Sequence, residues 1–220
     1  MRIGYVEFPP FTYTSDSGEA TGTLTETTRH VLEDAGIPYQ FIRLPAKRLA
    51  RDLISGRIQV FQGIKNHPAL QGHTQASKHS LATIRLCAYS LPGQPPGHDK
   101  EMLKHKRVLT LLGYGYGSLS PFLEDPQNDI DLLSVSSRES AIEMLRKGRA
   151  DYFLDYHSPA SEAMKALGEK QLQADELISY PTFWVVSKAF AGSDRLLQAM
   201  DSTFVDQENG AARVVEAGGE

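Results

Sequence analysis

The chain has 220 residues, a formal net charge of −4 at pH 7, 40% hydrophobic and 23% charged residues. That length buries a sizeable core, as one large domain or two small ones. The acidic balance and scattered Lys and Arg argue against a nucleic-acid binder, and the single cysteine excludes an internal disulfide and an all-cysteine metal site.

No apolar run reaches the roughly 18 residues of a membrane-spanning helix. Met1 leads directly into a strand-like stretch without a signal-peptide pattern. The expectation is a cytoplasmic protein, or a mature form whose leader has been removed.

Ile3–Val6 reads as a strand, interrupted by Pro9-Pro10 and followed by Phe11-Thr12-Tyr13. Thr14–Thr21 is a polar turn with Gly18. Leu24, Val31, Leu32 and Ala35 mark an amphipathic helix closed by Gly36, and Tyr39–Leu44 is the next strand. Leu49, Ala50, Leu53 and Ile54 give a second helix its apolar face; Gly56-Arg57 stops it and Ile58–Phe61 is a strand. Lys65–Lys78 is polar and irregular. Leu81–Leu91 is a long β-rich run containing Cys87, expected as a buried, inert thiol. The Pro/Gly cluster Pro92–Gly97 ends it and is the best internal boundary.

Arg107–Leu112 is a strand that enters Gly113-Tyr114-Gly115-Tyr116-Gly117-Ser118, with a helix start at Ser120-Pro121. A strand, a Gly-rich turn and a helix start favour an anion, because backbone N–H groups point outward there. The turn lacks the Gly-Lys-Ser/Thr of a phosphate loop and the third glycine of a dinucleotide fingerprint. A Gly-rich turn alone is more often only a turn, but exposed Tyr114 and Tyr116 imply that something meets them. Ile130–Val135 is a strand. Ser136 and Glu139 have capping-box spacing at the head of a helix with Ala141, Ile142 and Leu145 on one face. Gly148 ends that helix, and a buried strand then ends on Asp155, the first site candidate, because α/β sheets collect ligands at strand C-termini. Ser158–Leu167 is a helix. Leu177–Ser179 and Phe183–Ser187 are strands separated by Pro181, with Trp184 in the core. Leu196, Leu197, Met200 and Phe204 mark a last helix; Asn209-Gly210 turns the chain into a stub at Ala211–Val215.

The helix–Gly-Arg–strand phrase occurs at Gly56-Arg57 and again at Gly148-Arg149. The order predicts an α/β fold of two lobes, with mostly parallel sheets flanked by helices and a hinge of two crossing strands. Lobe one takes 1–90 plus 181–220 and lobe two takes 91–180, with a cleft between them.

At this point the whole chain resembles the type-II periplasmic solute-binding proteins of the polar amino-acid class. The resemblance rests on Pro10–Tyr13 with Gly18 and Gly22, on Arg48, Leu53 and Gly56-Arg57, on Val60–Ile64, on Gly113–Ser118, on Gly148–Asp151 with Asp155, and on Phe183–Lys188 with Leu196 and Asn209-Gly210. It implies that Phe11 and Tyr13 pack on a ligand, that Gly117 and Ser118 take a carboxylate, and that Asp155 accepts from an ammonium. Tyr114 and Tyr116 belong to the same turn. One departure stands out: Leu70 falls where this class carries an Arg that clamps a carboxylate. Lys65, Arg48 or Arg85 would have to substitute, so the resemblance implies a small polar solute rather than an ordinary α-amino acid.

The implied function is non-enzymatic: a periplasmic monomer without cofactor or metal, capturing a small polar solute in the cleft for an ABC permease in the inner membrane. One alternative is the input domain of a membrane receptor kinase. The other is a cyclohexadienyl-dehydratase-like lyase with Glu7 as acid, although Glu7 reads better as a solvated or ligand-binding carboxylate. His67, His73 and His79 lack zinc-ligand spacing and read as unrelated surface residues.

Overall fold

The structure is a computed structural model that describes residues 1–65, 67–112 and 114–217, with only the backbone described at Pro68 and at 207–217. The chain divides into two compact units, Met1–Thr83 with Pro181–Glu220 and Ile84–Tyr180.

In chain order, the first unit contributes β1 (Arg2–Tyr5), β2 (Tyr13–Thr14), β3 (Ala20–Thr21), α1 (Thr23–Asp34), β4 (Gln40–Arg43), α2 (Ala46–Ile54), β5 (Val60–Gly63) and β6 (Thr74–Ala76). β7 (Ala82–Ser90) carries the chain into the second unit, upstream of the Pro/Gly cluster. There follow β8 (Arg107–Leu111), α3 (Ser120–Glu124), β9 (Asp131–Val135), α4 (Arg138–Arg146), β10 (Tyr152–Tyr156) and α5 (His157–Ala166). β11 (Gln173–Ser187) brings it back, and α6 (Ser193–Ala217) closes it.

In unit 1, β1 lies between β4 and β5 in parallel register, Ile3 opposite Phe41 and Val60. The C-terminal part of β11 adds an antiparallel strand, with Trp184 opposite Gln62, and β6 pairs on its other edge. Ile3, Val60, Trp184 and Val186 meet Val31 and Leu32 of α1 and Leu196, Leu197 and Met200 of α6 in one buried layer. Leu49 and Leu53 of α2 pack with Ile58, Leu70 and Val185 in a second. Unit 2 repeats the scheme. β8 lies between β9 and β10 in parallel register, and β10 pairs antiparallel with β7. Ala141 and Leu145 of α4 and Ala160 of α5 cover Leu109, Phe153 and Tyr89.

Several expectations are corrected. Ser137, not Ser136, caps α4, accepting from the Ser140 N–H. The extended backbone of a cap residue falls one position later, so Glu139 sits one place too early to complete the box. α3 does start at Ser120-Pro121 as expected, but it follows a 3-10 turn over Gly117–Leu119 and its cap position is Leu119, without a side-chain bond. β11 runs unbroken through Pro181. Pro181 opens the unit 1 part of that strand, and the registered pairs with β5 begin at Phe183, so its missing N–H costs no rung there. Part of the irregular stretch 65–78 is strand β6. α6 continues through Asn209-Gly210. No Pro follows to stop it, and one interior Gly costs a helix only about 1 kcal/mol.

Candidate functional site

β8, β9 and β10 of unit 2 run parallel, so their C-terminal ends lie along one edge. Three segments arrive there: the turn through Tyr114–Ser118 after β8, the first turn of α4 after β9, and Asp155-Tyr156 at the end of β10. Gly113, which opens the predicted turn, lies outside the described residues.

Asp155 is fully buried. Arg138, the first residue of α4, grips it with both sides of the guanidinium: Nε to Oδ2 at 2.6 Å and Nη2 to Oδ1 at 3.3 Å. Nη2 also donates to the Tyr114 hydroxyl at 3.2 Å, and the guanidinium lies over the Tyr114 ring, 5.3 Å from its centroid. Burial pushes the Asp155 carboxyl up, and the bonds and charge of Arg138 pull it back. Burial also opposes the Arg138 charge, but the bonds and charges of Asp155 and Tyr114 together outweigh this and hold the guanidinium above its ordinary range. On balance the Asp155 carboxyl stays above its ordinary value, while the two-point geometry is one that charge-assisted bonds favour. Sequence reasoning missed Arg138. One signal was present: a cation in the first turn of a helix opposes the helix dipole and needs a carboxylate partner.

Tyr116 is buried, not exposed on the turn. β8 and β10 are in register at Leu109–Phe153. The next rung of that ladder would join the Leu111 N–H to the Leu154 carbonyl. The Tyr116 hydroxyl is inserted there instead, accepting from Leu111 N at 2.7 Å and donating to Leu154 O at 3.2 Å. Burial raises its pKa well above the ordinary tyrosine range. Its side chain therefore holds the strands, and its aromatic character is explained without a ligand. Gly117 has φ 55°, and a Cβ on it would stand 3.1 Å from the Tyr180 hydroxyl. Ser118 Oγ shares a hydrogen bond with that same hydroxyl at 3.2 Å. Tyr156 is also buried, and its hydroxyl donates to the Gly115 carbonyl at 2.9 Å. The turn is thus braced by Tyr116, Tyr156 and Tyr180.

Unit 1 places its candidates in separate settings. Glu7 accepts from the Thr14 N–H and hydroxyl and pairs with Arg43 at 2.9 Å, so it braces β2 and neighbouring Tyr13, which is half-buried. Phe11 stacks on Phe8 at 5.4 Å, and its carbonyl accepts from the Leu24 N–H. The Lys65 ammonium lies 4.7 Å from the centre of the Phe183 ring. Arg48 faces a shallow groove of about 240 Å³ shared with Arg2, Arg51 and Arg57, and is held 3.5 Å from buried Asp52. Leu70 is core. Among the described residues, no group of three His, Cys, Asp or Glu is placed to hold a metal ion, and no helix is long and apolar enough to cross a membrane.

No protein-family model matches the sequence, and no curated protein matches it either. Solved structures do. A histidine kinase sensor domain with similarity to periplasmic binding proteins is 19% identical, with a TM-score of 0.75 over 99% of this chain and 94% of that one. The fold is that of the periplasmic binding proteins. An ancestral arginine-binding protein bound to arginine is 19% identical, with a TM-score of 0.72 over 94% of this chain and 92% of that one. The substrate-binding protein of an amino acid ABC transporter is 15% identical, with a TM-score of 0.70 over 96% and 94%. Identities this low establish the periplasmic-binding-protein fold alone, and that fold is one suited to binding ligands.

Proposed function

We propose that this chain is an extracytoplasmic solute-binding protein: a monomer, not an enzyme, that captures a small polar solute and delivers it to an ABC permease. The observation that carries this reading is the brace around Tyr114–Ser118. A turn at the C-terminal edge of parallel strands is held rigid by Tyr116, Tyr156 and Tyr180 and presents polar groups. Preorganised polar groups on a rigid scaffold suit a binder. Similarity to amino-acid-binding proteins over nearly the whole chain supports the same reading. Ser118, Gly117, Tyr114, Phe11, Tyr13 and Lys65 are the proposed contacts; Tyr116, Glu7 and Arg48 have structural partners of their own. The proposed location is the periplasm.

The test is a thermal-shift screen with amino acids, amines, organic acids and sugars. A ligand bound only by the folded state must raise the melting temperature by mass action, about 2.7 kcal/mol of added stability at 100 times Kd. A hit that Ser118→Ala weakens supports the reading. No response across the screen refutes it.

A second reading is favoured by one observation, the similarity to a kinase sensor domain across 99% of this chain. In that case capture of the solute is the signal. Pull-down of a permease by the loaded protein distinguishes transport from sensing.

A further inference from the structure

We propose that Arg138 is the solute-recognising charge of unit 2 and that the solute it takes is an organic acid, not an amine. This deepens the solute-binding reading and rests on it.

A solute meets only one half of this ion pair. The Asp155 side chain is 0% exposed, whereas the Arg138 side chain retains 18% exposure. The carboxylate is enclosed, and its charge is already answered by bonds from Nε and Nη2. An ammonium arriving here finds no accessible carboxylate oxygen. It would meet the outer edge of a guanidinium, a like charge. To reach Asp155 it would have to displace Arg138 and leave that largely buried cation without its partner, which is strongly unfavourable.

An acid meets the opposite situation. Arg138 spends Nε and Nη2 on Asp155 and Tyr114, and Nη1 makes no hydrogen bond among the described residues. The Tyr114 ring backs the guanidinium plane, and the tyrosine hydroxyl fixes one corner. The guanidinium is therefore oriented before a solute arrives, and an oriented donor loses little rotamer entropy on binding. The adjacent Glu139 is exposed and forms no ion pair with Arg138 among the described residues; its own N–H first, then Ser137 and the Arg138 charge, hold its carboxyl below the ordinary range. Asp155 is then a positioning residue, and Arg138 touches the solute.

The experiment uses the whole chain and four solutes on one four-carbon skeleton: succinate, 4-aminobutyrate, 1,4-diaminobutane and 1,4-butanediol. Each is titrated by thermal shift, and hits are confirmed by calorimetry. The expected result is a shift with succinate and none with the diamine or the diol. Removing Arg138 alone strands a buried carboxylate, so the test variant is Arg138→Gln with Asp155→Asn, which keeps a hydrogen-bonded neutral pair. In that variant succinate should bind at least about tenfold more weakly. The wild-type ranking decides even where the variant fails to fold. A shift with the diamine, a shift with the diol alone, no shift with succinate, or unchanged succinate affinity in the double variant each overturns the inference. Binding of the amine or diol sinks the acid preference while leaving solute capture standing. Silence across these four and across the wider screen sinks both.

Discussion

Replacing Tyr116 by Phe removes one oxygen atom and leaves the ring in place. The hydroxyl it deletes bridges the Leu111 N–H and the Leu154 carbonyl. Both strands are buried at this point, so water does not replace the lost bonds. A buried donor left without a partner costs about 1–3 kcal/mol, and the 2.7 Å bond from Leu111 N is the stronger of the two losses. The carbonyl, with its weaker 3.2 Å bond, adds a smaller amount. The expected destabilisation is about 2 kcal/mol, read as a lower midpoint in urea at unchanged slope. Amide hydrogen exchange gives the local check: protection at Leu111 should fall by more than at Leu109, which keeps its ladder position opposite Phe153. The reasoning is refuted by a change under about 0.5 kcal/mol with Leu111 still fully protected, because the strands would then have closed to make the rung directly.

Three further outcomes are expected. Gly117→Ala places a side chain at φ 55° and 3.1 Å from the Tyr180 hydroxyl, and should cost about 1–2 kcal/mol in urea denaturation; Gly115→Ala, with nothing within 4 Å, is the control. Thr28→Val deprives Gln62 Nε2 and the Trp184 indole N–H of their common acceptor, so about 2–3 kcal/mol should be lost, with altered emission from Trp184, the single tryptophan. The Arg107 hydrogen bond holds the Asp151 carboxyl below its ordinary range. A depressed native pKa contributes stability that is present above the unfolded value, near 4, and is lost as pH falls through the native value. Melting temperature measured from pH 6 down to about 2.5 should therefore fall less steeply in Asp151→Asn than in the parent.

The alternation of strands and helices was legible because each element has its own periodic apolar face. Ile3, Val31, Leu53 and Leu145 all go inside as the pattern requires. The helix-to-strand turn at Gly148 was legible because its φ of 63° is what a helix-ending glycine supplies. What escaped depends on partners distant in sequence. Pro181 reads locally as a break, and only the pairing of β11 after it shows that no registered rung to β5 is lost. Tyr116 reads as a surface aromatic because turns are usually exposed; the register of β8 against β10 turns it inward. Asp155 reads as a candidate from its place at a strand end, but its ion-pair partner lies on another element and shares no motif with it. The candidate contacts were thus visible one by one, whereas the charge of their surroundings was not.

The opposite edge of the unit 2 sheet is built differently. There Arg107, at the first residue of β8, gives its N–H, Nε and Nη2 to Asp151 and Nη1 to the Gly148 carbonyl. One side chain thereby ties the start of β8 to the turn that launches β10. The alignment of the parallel strands is anchored at the end remote from Tyr114–Ser118. Within that turn Tyr116 adds a second tie between β8 and β10, so only its exposed positions, such as Ser118, can be exchanged without loosening the strands.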